Sequence, residues 1–305
     1  MMNGSLTESA VLAEGLVKSY GKVKALGGVS LDVRHGETFG IIGPDGAGKS
    51  TLFRLLTSLL VPDSGSAQVE GLDTVKDYRE IRKIIGYMPG KFSLYQDLTV
   101  EENLTFFATL FGTTIDENYH LIEDIYKQIE PFKARMAGKL SGGMKQKLAL
   151  CCALIHKPKV LFLDEPTTGV DPVSRKEFWD MLGRLKNDGI TILVSTPYMD
   201  EAGRCDRIAL IRNGKFLTVN SPAGIIAEFP DRLYSVRSDR MHALLGDLRA
   251  YSGTIRAFSF GESVHLSTGD GFSEDDLRKF LLDRKHNNVE INAIRPSVED
   301  CFMRI

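Results

Sequence analysis

The fold of this chain is indicated most clearly by the residues Gly43-Pro44-Asp45-Gly46-Ala47-Gly48-Lys49-Ser50-Thr51. It follows an apolar run at residues 38–42 and precedes a helical pattern, and it matches G-x-x-x-x-G-K-[ST], a loop that holds phosphate groups. Its glycines let the backbone turn, so that amide groups and the start of the next helix can converge on an anion. We therefore predict that Lys49 reaches the β- and γ-phosphates of a nucleotide and that Ser50 holds Mg²⁺.

Composition excludes several classes of protein. The 305 residues are enough for two domains, and the formal net charge of −2 gives no basic field that would favour nucleic acid. The longest apolar stretch, residues 148–155, is too short to span a bilayer. Residues 1–10 lack the cationic and apolar regions of a secretory signal. The cysteines at 151, 152, 205 and 301 lack the spacing of a metal site and indicate a reducing cytoplasm.

The pattern of apolar residues predicts two domains. In the first, strands at 11–17, 29–33 and 38–42 precede a helix at 48–60, and a helical insert of about 98–157 interrupts an α/β alternation that resumes with strands at 160–163 and 191–195. Pro230-Asp231 marks a boundary, so the first domain is predicted over residues 1–230. Residues 231–305 follow the order βαββαβ of a small α+β ferredoxin-like sandwich, with a closing helix after Ser297. That second domain either supports a dimer or senses a small ligand.

Further segments follow in the order found in ATP-binding cassette (ABC) transporter ATPases, which the chain resembles over about residues 10–220. Leu140-Ser141-Gly142-Gly143-Met144-Lys145-Gln146 resembles the LSGGQ signature, residues 160–166 resemble the Walker B strand with its following glutamate, and residues 168–172 resemble the D-loop. Tyr20 resembles the aromatic residue that stacks on adenine. Met144 and the C-terminal unit most resemble the ATPase subunits of ABC-2-type multidrug exporters. The resemblance implies a P-loop NTPase fold with a mixed sheet core, an N-terminal antiparallel β part and a helical insert.

The resemblance also implies roles for single residues. Glu165 would act as general base toward the attacking water, and Asp164 would meet Mg²⁺ through water while Ser50 binds it directly. The signature glycines would donate to the γ-phosphate of ATP bound on a second cassette. The implied ATP-contacting set is Tyr20, Gly43, Asp45, Gly46, Ala47, Gly48, Lys49, Ser50, Thr51, Asp164, Ser141, Gly142, Gly143 and Asp171. Taken alone, Ser141 could be only a helix cap, Tyr20 a strand-end aromatic and Glu165 a surface acid.

Two positions depart from the family pattern. The family has a glutamine at the end of the strand before the helical insert, where this chain has Gly90, and a histidine after the last core strand, where it has Pro197. Glycine has no side chain to coordinate Mg²⁺, and proline has neither a polar side chain nor an N–H. Asp45, where asparagine is commoner, is a milder departure. We therefore expect firm ATP binding and slow hydrolysis at this chain's own site.

The resemblance implies the ATPase subunit of a membrane exporter, peripheral on the cytoplasmic face and attached to separate integral-membrane permease subunits. The predicted permease contact is the helical insert with the loop 89–97, in which Phe92, Leu94 and Tyr95 are apolar; packing within the insert is the alternative for these side chains. A second ABC cassette is expected, in a heterodimer rather than a homodimer, and no nucleic acid. Two other functions stay open: a regulatory ATP-binding partner with little turnover, and a soluble ABC protein acting on nucleic acid or ribosomes.

Overall fold

The computed structural model describes residues 9–304. The chain divides into two compact units, the first ending at Ser221 and the second starting at Pro222. The expectation that the N-terminus carries no secretory signal falls mostly on residues outside the described range.

A six-stranded sheet forms the centre of the first unit, in the order β10-β9-β3-β8-β7-β6. All neighbours pair in parallel except β10, which is antiparallel to β9. Strands β3, β7 and β8 are buried along their whole length, as expected where helices cover both faces of a parallel sheet. The six strands are β3 (Thr38–Ile42), β6 (Ile85–Met88), β7 (Val160–Asp164), β8 (Thr191–Thr196), β9 (Arg207–Arg212) and β10 (Lys215–Asn220).

The second sheet is antiparallel and has the strand order β2-β1-β4-β5. Strands β1 and β2 precede the phosphate loop in the sequence, and β4 and β5 follow it. Its strands are β1 (Ser9–Tyr20), β2 (Val23–Arg34), β4 (Ser64–Val69) and β5 (Leu72–Asp73). The predicted N-terminal antiparallel part is confirmed, but β1 and β2 are longer than predicted and β4 and β5 were missed. The polar sequence Ser64-Gly65-Ser66 of β4 gives no apolar alternation, so β4 is a strand because it pairs with β1 and β5.

Helices α1 (Lys49–Leu56), α2 (Tyr78–Ile84) and α6 (Pro172–Asn187) flank the sheets, whereas α3 (Val100–Leu110), α4 (Ile115–Tyr126) and α5 (Gly142–Leu154) form the helical region. The prediction that α1 extends to residue 60 is wrong: it ends at Leu56, and Ser58 has a left-handed φ of 58°. The helical insert predicted over about 98–157 is also interrupted. Gly112 has a φ of 71°, and Thr114 starts α4 with its own capping box.

The second unit confirms the predicted order βαββαβ. Its strands form an antiparallel sheet in the order β12-β13-β11-β14, with a core between the sheet and helices α8 and α9. The elements are α7 (Pro222–Ala227), β11 (Arg232–Arg237), α8 (Met241–Ala250), β12 (Thr254–Phe260), β13 (Ser263–Thr268), α9 (Glu274–Asp283), β14 (Glu290–Ile294) and α10 (Val298–Arg304). Helix α7 packs against α10, where the Cys301 thiol contacts the Ile225 carbonyl at 3.6 Å. It therefore belongs to the second unit, although the sequence placed the boundary at residue 230.

Candidate active site

The loop between β3 and α1 has three positions that require glycine. A Cβ on Gly43 would lie 2.1 Å from the carbonyl oxygen of Ile211, and one on Gly48 would lie 2.6 Å from that of Ala25. Gly46 has open space around it, but its φ of 77° is in the left-handed region, as is the φ of 108° at Gly48. Close approach and backbone conformation thus account for the glycines that the sequence motif singles out.

Lys49 is the first residue of α1, directly after this loop, and is only 3% exposed. Its Nζ donates to the carbonyl oxygens of Gly43 at 2.7 Å and Pro44 at 3.0 Å, and lies 3.0 Å from Oε1 of Glu165. A buried ammonium needs such partners because an unpaired charge is costly away from water. An anion entering the loop would share or replace Glu165 as the partner of this ammonium.

Strand β7 ends at Asp164, which is 3% exposed and accepts a 2.6 Å hydrogen bond from Ser195 Oγ. The next residue, Glu165, has a left-handed φ of 51°. Its N–H donates to both the carbonyl oxygen and Oγ of Ser195, each at 3.0 Å. A left-handed non-glycine residue costs about 1–3 kcal/mol, so these bonds help to hold Glu165 in place. Ser195 therefore positions the carboxylate of Asp164 and the backbone of Glu165.

This donor set fits a nucleotide polyphosphate with Mg²⁺. Gly48 caps α1 without a side-chain hydrogen bond, which leaves the first amides of the helix for an anion beside the Lys49 ammonium. The Ser50 hydroxyl and the Asp164 carboxylate are oxygen ligands of the kind that Mg²⁺ takes, with phosphate and water supplying the rest. Within residues 9–304, no cluster of three or more His, Cys, Asp or Glu could hold a metal by itself.

Gly90 lies beside the backbone of Asp164 and the Cβ of Glu165. A Cβ on Gly90 would stand 3.1 Å from the carbonyl oxygen of Asp164 and 3.8 Å from Cβ of Glu165. The position where the resemblance expects glutamine is therefore next to Asp164 and Glu165, but it carries no side chain toward them.

Pro197 follows the end of β8, one residue after the fully buried Thr196. The carbonyl oxygen of Thr196 accepts a 3.2 Å hydrogen bond from the N–H of Gly43, the first residue of the phosphate loop. Position 197 is therefore one residue from a direct contact with the loop, and proline brings no hydrogen-bond donor there.

The signature segment lies at the start of α5. Ser141 is its N-cap and accepts a hydrogen bond from the N–H of Met144 at 3.3 Å. The next two residues, Gly142 and Gly143, lie close to the D-loop region. A Cβ on Gly142 would be 3.9 Å from the Gly169 carbonyl oxygen, and one on Gly143 would be 3.4 Å from Ser174 Oγ.

Asp171 caps α6 by accepting from the amides of Val173 at 3.1 Å and Ser174 at 3.0 Å. The Ser174 amide bond is the main reason that the pKa of this carboxyl is lowered. A capping role thus accounts for Asp171 within the chain, and its predicted contact with ATP stays a prediction.

The remaining predicted ATP contacts differ in exposure. The ring of Tyr20, at the end of β1, is 46% exposed and so accessible for stacking. Asp45 is exposed, Thr51 is half-buried, and Ala47 is buried in the core under the loop.

A groove of about 630 Å³ lies between β6 and the helical region, with Tyr87, Leu94, Phe107 and Phe111 among its lining residues. His156 also lines it, stacked on Phe111 with ring centroids 3.8 Å apart and with Nε2 2.8 Å from the Ile85 carbonyl oxygen. Burial lowers the pKa of His156, and burial with the nearby charge of Asp164 raises the pKa of Tyr87 to about 12. Both rings are therefore neutral near pH 7.

The three apolar residues predicted to contact a permease divide between groove and surface. Leu94 lines the groove, whereas Tyr95 is 51% exposed and packs edge-on against Phe106. Phe92 lies under the ammonium of Lys145, 5.5 Å from its ring centroid. Packing inside the unit thus explains Phe92 in part, and the permease contact stays a prediction.

Sequence reasoning missed the polar residues at the end of β8. Ser195 and Thr196 contact Asp164 and Gly43, and Thr196 Oγ1 also donates to Glu201 at 2.5 Å. The signal was present: two hydroxyl residues follow the apolar run at residues 192–194 and close the strand.

A model of the ABC transporter family matches residues 26–168. The chain is 38% identical over 308 residues to "Probable multidrug ABC transporter ATP-binding protein YbhF" of Escherichia coli (strain K12), covering 98% of this chain and 52% of that protein. It is 34% identical over 304 residues to "Nod factor export ATP-binding protein I" of Rhizobium sp. (strain N33), covering 98% of each. The chain thus spans about half the length of the first relative and nearly all of the second.

Among solved structures, the dimeric structure of MJ0796, a bacterial ABC transporter cassette, matches 69% of this chain and 98% of that chain, with a TM-score of 0.63 and 26% identity. This match confirms the predicted cassette fold. Among residues 9–304, every helix is too short or too polar to span a bilayer.

Proposed function

The chain belongs to the ABC transporter ATP-binding family, and we propose that it is the ATP-binding subunit of a membrane exporter. The names of its relatives, a multidrug transporter ATP-binding protein and a Nod factor export protein, support export over import. The observation that carries the proposal is the placement of Lys49: its ammonium lies 2.7 Å from the loop carbonyl of Gly43 and 3.0 Å from Glu165, the residue after Asp164.

Each residue of this group has a distinct task in the proposed reaction. The loop amides and Lys49 hold the β- and γ-phosphates of ATP, and Tyr20 stacks on the adenine. Ser50, and Asp164 through water, hold Mg²⁺, which when bound offsets charge on the phosphate oxygens. Glu165 orients the attacking water and accepts its proton, a contribution of about 10²–10⁴-fold in rate. Ser195 holds Asp164 and Glu165 in position for these tasks through its hydrogen bonds.

We propose that hydrolysis at this site is slow because of Gly90 and Pro197. Both flank the site: Gly90 lies beside the Asp164 carbonyl, and Pro197 follows the residue that holds the amide of Gly43. Neither brings a polar side chain to the water or the γ-phosphate, whereas the groups assigned to ATP binding are all present. The expected result is tight binding with low turnover.

The groove beside β6 is the proposed site for an integral-membrane permease. Its lining is largely apolar and includes Leu94, Phe107 and Phe111, and Met88 and Pro89, which precede Gly90 in the chain, also line it. A permease helix seated there would contact the segment that borders Asp164, so ATP binding and the permease could influence each other. In this arrangement the chain is cytoplasmic and peripheral on the inner face of the cell membrane, and the permease selects the transported substrate.

A second cassette completes the proposed assembly, in which Ser141, Gly142 and Gly143 donate to ATP held by the partner. We favour a heterodimer, because two copies of this chain would place Gly90 and Pro197 in both sites. With an intact partner cassette, Gly142→Asp in this chain should reduce transport ATPase activity more than Lys49→Ala. Equal effects, or a larger effect of Lys49→Ala, would contradict the heterodimer.

Two measurements test this function. The purified chain is titrated with Mg-ATP, and phosphate release is then compared between the chain alone and the complex isolated from its native membrane. Retention of Mg-ATP and co-purification with membrane proteins support the exporter subunit. Failure to retain Mg-ATP would refute it, and recovery with ribosomes instead would favour a soluble ABC protein. Tight ATP binding with no rate increase in the assembled complex would favour a purely regulatory partner.

A further inference from the structure

A cluster of charged and polar residues joins α6 to the end of β8. Arg175, in the first turns of α6, donates from Nε to Oε1 of Glu201 at 3.2 Å, and a terminal nitrogen lies 3.1 Å from Oδ2 of Asp200. The same guanidinium lies 4.2 Å from the centroid of the Tyr198 ring. Arg175 is thus held by two carboxylates and an aromatic face, an arrangement that suits a planar guanidinium and that lysine would not reproduce.

Glu201 is the buried centre of this cluster. It is 3% exposed, and while one oxygen accepts from Arg175 the other accepts from Thr196 Oγ1 at 2.5 Å. Thr196 Oγ1 in turn accepts from the N–H of Tyr198 at 3.0 Å. Removing Arg175 would therefore leave a buried carboxylate with a single hydroxyl partner, which is strongly unfavourable.

The backbone of Thr196 connects this cluster to the phosphate loop. Its carbonyl oxygen accepts from the Gly43 N–H at 3.2 Å, and the preceding residue, Ser195, bonds to Asp164 and Glu165. A continuous series of contacts thus runs from the helix that Asp171 caps, through Arg175, Glu201 and Thr196, to Gly43. Pro197 follows Thr196 in the chain but adds no hydrogen-bond donor to this series.

We propose that Arg175 and Glu201 are positioning residues that fix the end of β8, and through it the phosphate loop, for ATP binding. This inference rests on the proposed function, because it concerns the same ATP site. The ion pair touches no substrate group in this assignment; it acts by holding Thr196 against Gly43. Loss of the pair should resemble the loss of residues that position metal ligands, which costs about 10–100-fold in metal affinity or activity.

The test uses the full chain and four variants: Arg175→Met, Glu201→Gln, the double variant, and Arg184→Met as the matched control. Arg184 lies on the same helix and pairs with Asp124 at 3.3 Å, but this pair is exposed at 51% and 70%. Surface pairs of this kind contribute little. Mg-ATP titration gives the affinity, and hydrogen exchange of the Gly43 amide reports whether its bond to Thr196 persists.

Arg175→Met and Glu201→Gln are each expected to raise the Kd for Mg-ATP about tenfold or more and to speed exchange at Gly43. The Kd of the double variant should not exceed that of the single variant that binds Mg-ATP more weakly, because both changes remove the same ion pair. Arg184→Met should match wild type in both measurements. If Arg175→Met does not fold, Glu201→Gln, which keeps an acceptor for Thr196, decides the matter by itself.

Unchanged Kd and unchanged Gly43 exchange in the folded variants would overturn the inference, as would fully additive effects in the double variant. A lower melting temperature with normal Mg-ATP affinity would show a merely structural role and would overturn it too. These outcomes require a wild-type chain that binds Mg-ATP. Failure of the wild type to bind would instead refute the proposed function.

Discussion

Replacing Gly43 with alanine tests the close approach that shapes the phosphate loop. The added Cβ would lie 2.1 Å from the carbonyl oxygen of Ile211 and 2.8 Å from its Cγ2, and distances below 3.0 Å force the backbone to move. Such overpacking costs about 1–3 kcal/mol. Moving the loop also weakens the 3.2 Å bond from the Gly43 N–H to Thr196, worth about 0.5–1.5 kcal/mol. We therefore expect Gly43→Ala to lower the free energy of unfolding by about 1.5–4.5 kcal/mol.

Trp179 provides the assay, because it is the chain's single tryptophan and lies in α6 of the first unit. Its fluorescence during urea unfolding therefore reports the first unit without the second. The matched control is Gly183→Ala in the same helix, where a Cβ meets nothing within 4 Å and alanine should stabilise by up to about 1 kcal/mol. Wild-type stability together with wild-type Mg-ATP affinity in Gly43→Ala would refute the steric reasoning.

Three further results are expected. Burial lowers the pKa of His156 below its ordinary 6.5. As the pH falls, the unfolded state therefore takes up the proton first, and the first unit should lose stability below about pH 6.5. Urea unfolding measured at several pH values should show this loss in wild type and not in His156→Gln. Thr99→Ala removes the capping box of α3 and should cost about 1 kcal/mol in the same assay, whereas Thr109→Ala, exposed on that helix, should cost far less. Cys151 and Cys152 are buried with raised pKa values, so a thiol reagent should leave them unmodified until urea is added; prompt reaction of the folded chain would contradict their burial.

The sequence predicted the features that have a local signal. The phosphate loop, the apolar strands β3, β7 and β8, and the order of the second unit follow from glycine spacing, apolar runs and alternation. These signals depend only on neighbouring residues. Helix ends were less predictable: α1 stops at Leu56 although Leu59 and Leu60 continue its apolar pattern, because the backbone at Ser58 turns left-handed.

The contacts of the site could not be predicted because they join distant segments. Ser195 meets Asp164 from 31 residues away, and Arg175 meets Glu201 from 26 residues away. Neither pair has a sequence motif of its own. Gly90 and Pro197 were identified only as departures from a family pattern; the structure adds that Gly90 borders Asp164 and that Pro197 follows the residue bonded to Gly43.

Weakened hydrolysis at this site can be measured by comparing Mg-ATP binding and phosphate release between wild type and the variant that carries both Gly90→Gln and Pro197→His. Both proteins should bind Mg-ATP, since Lys49, Ser50 and Asp164 are unchanged, and the double variant should release phosphate about tenfold faster or more. A wild-type chain that hydrolyses ATP as fast as the double variant would contradict the claim that this chain binds ATP at a hydrolytically weakened site.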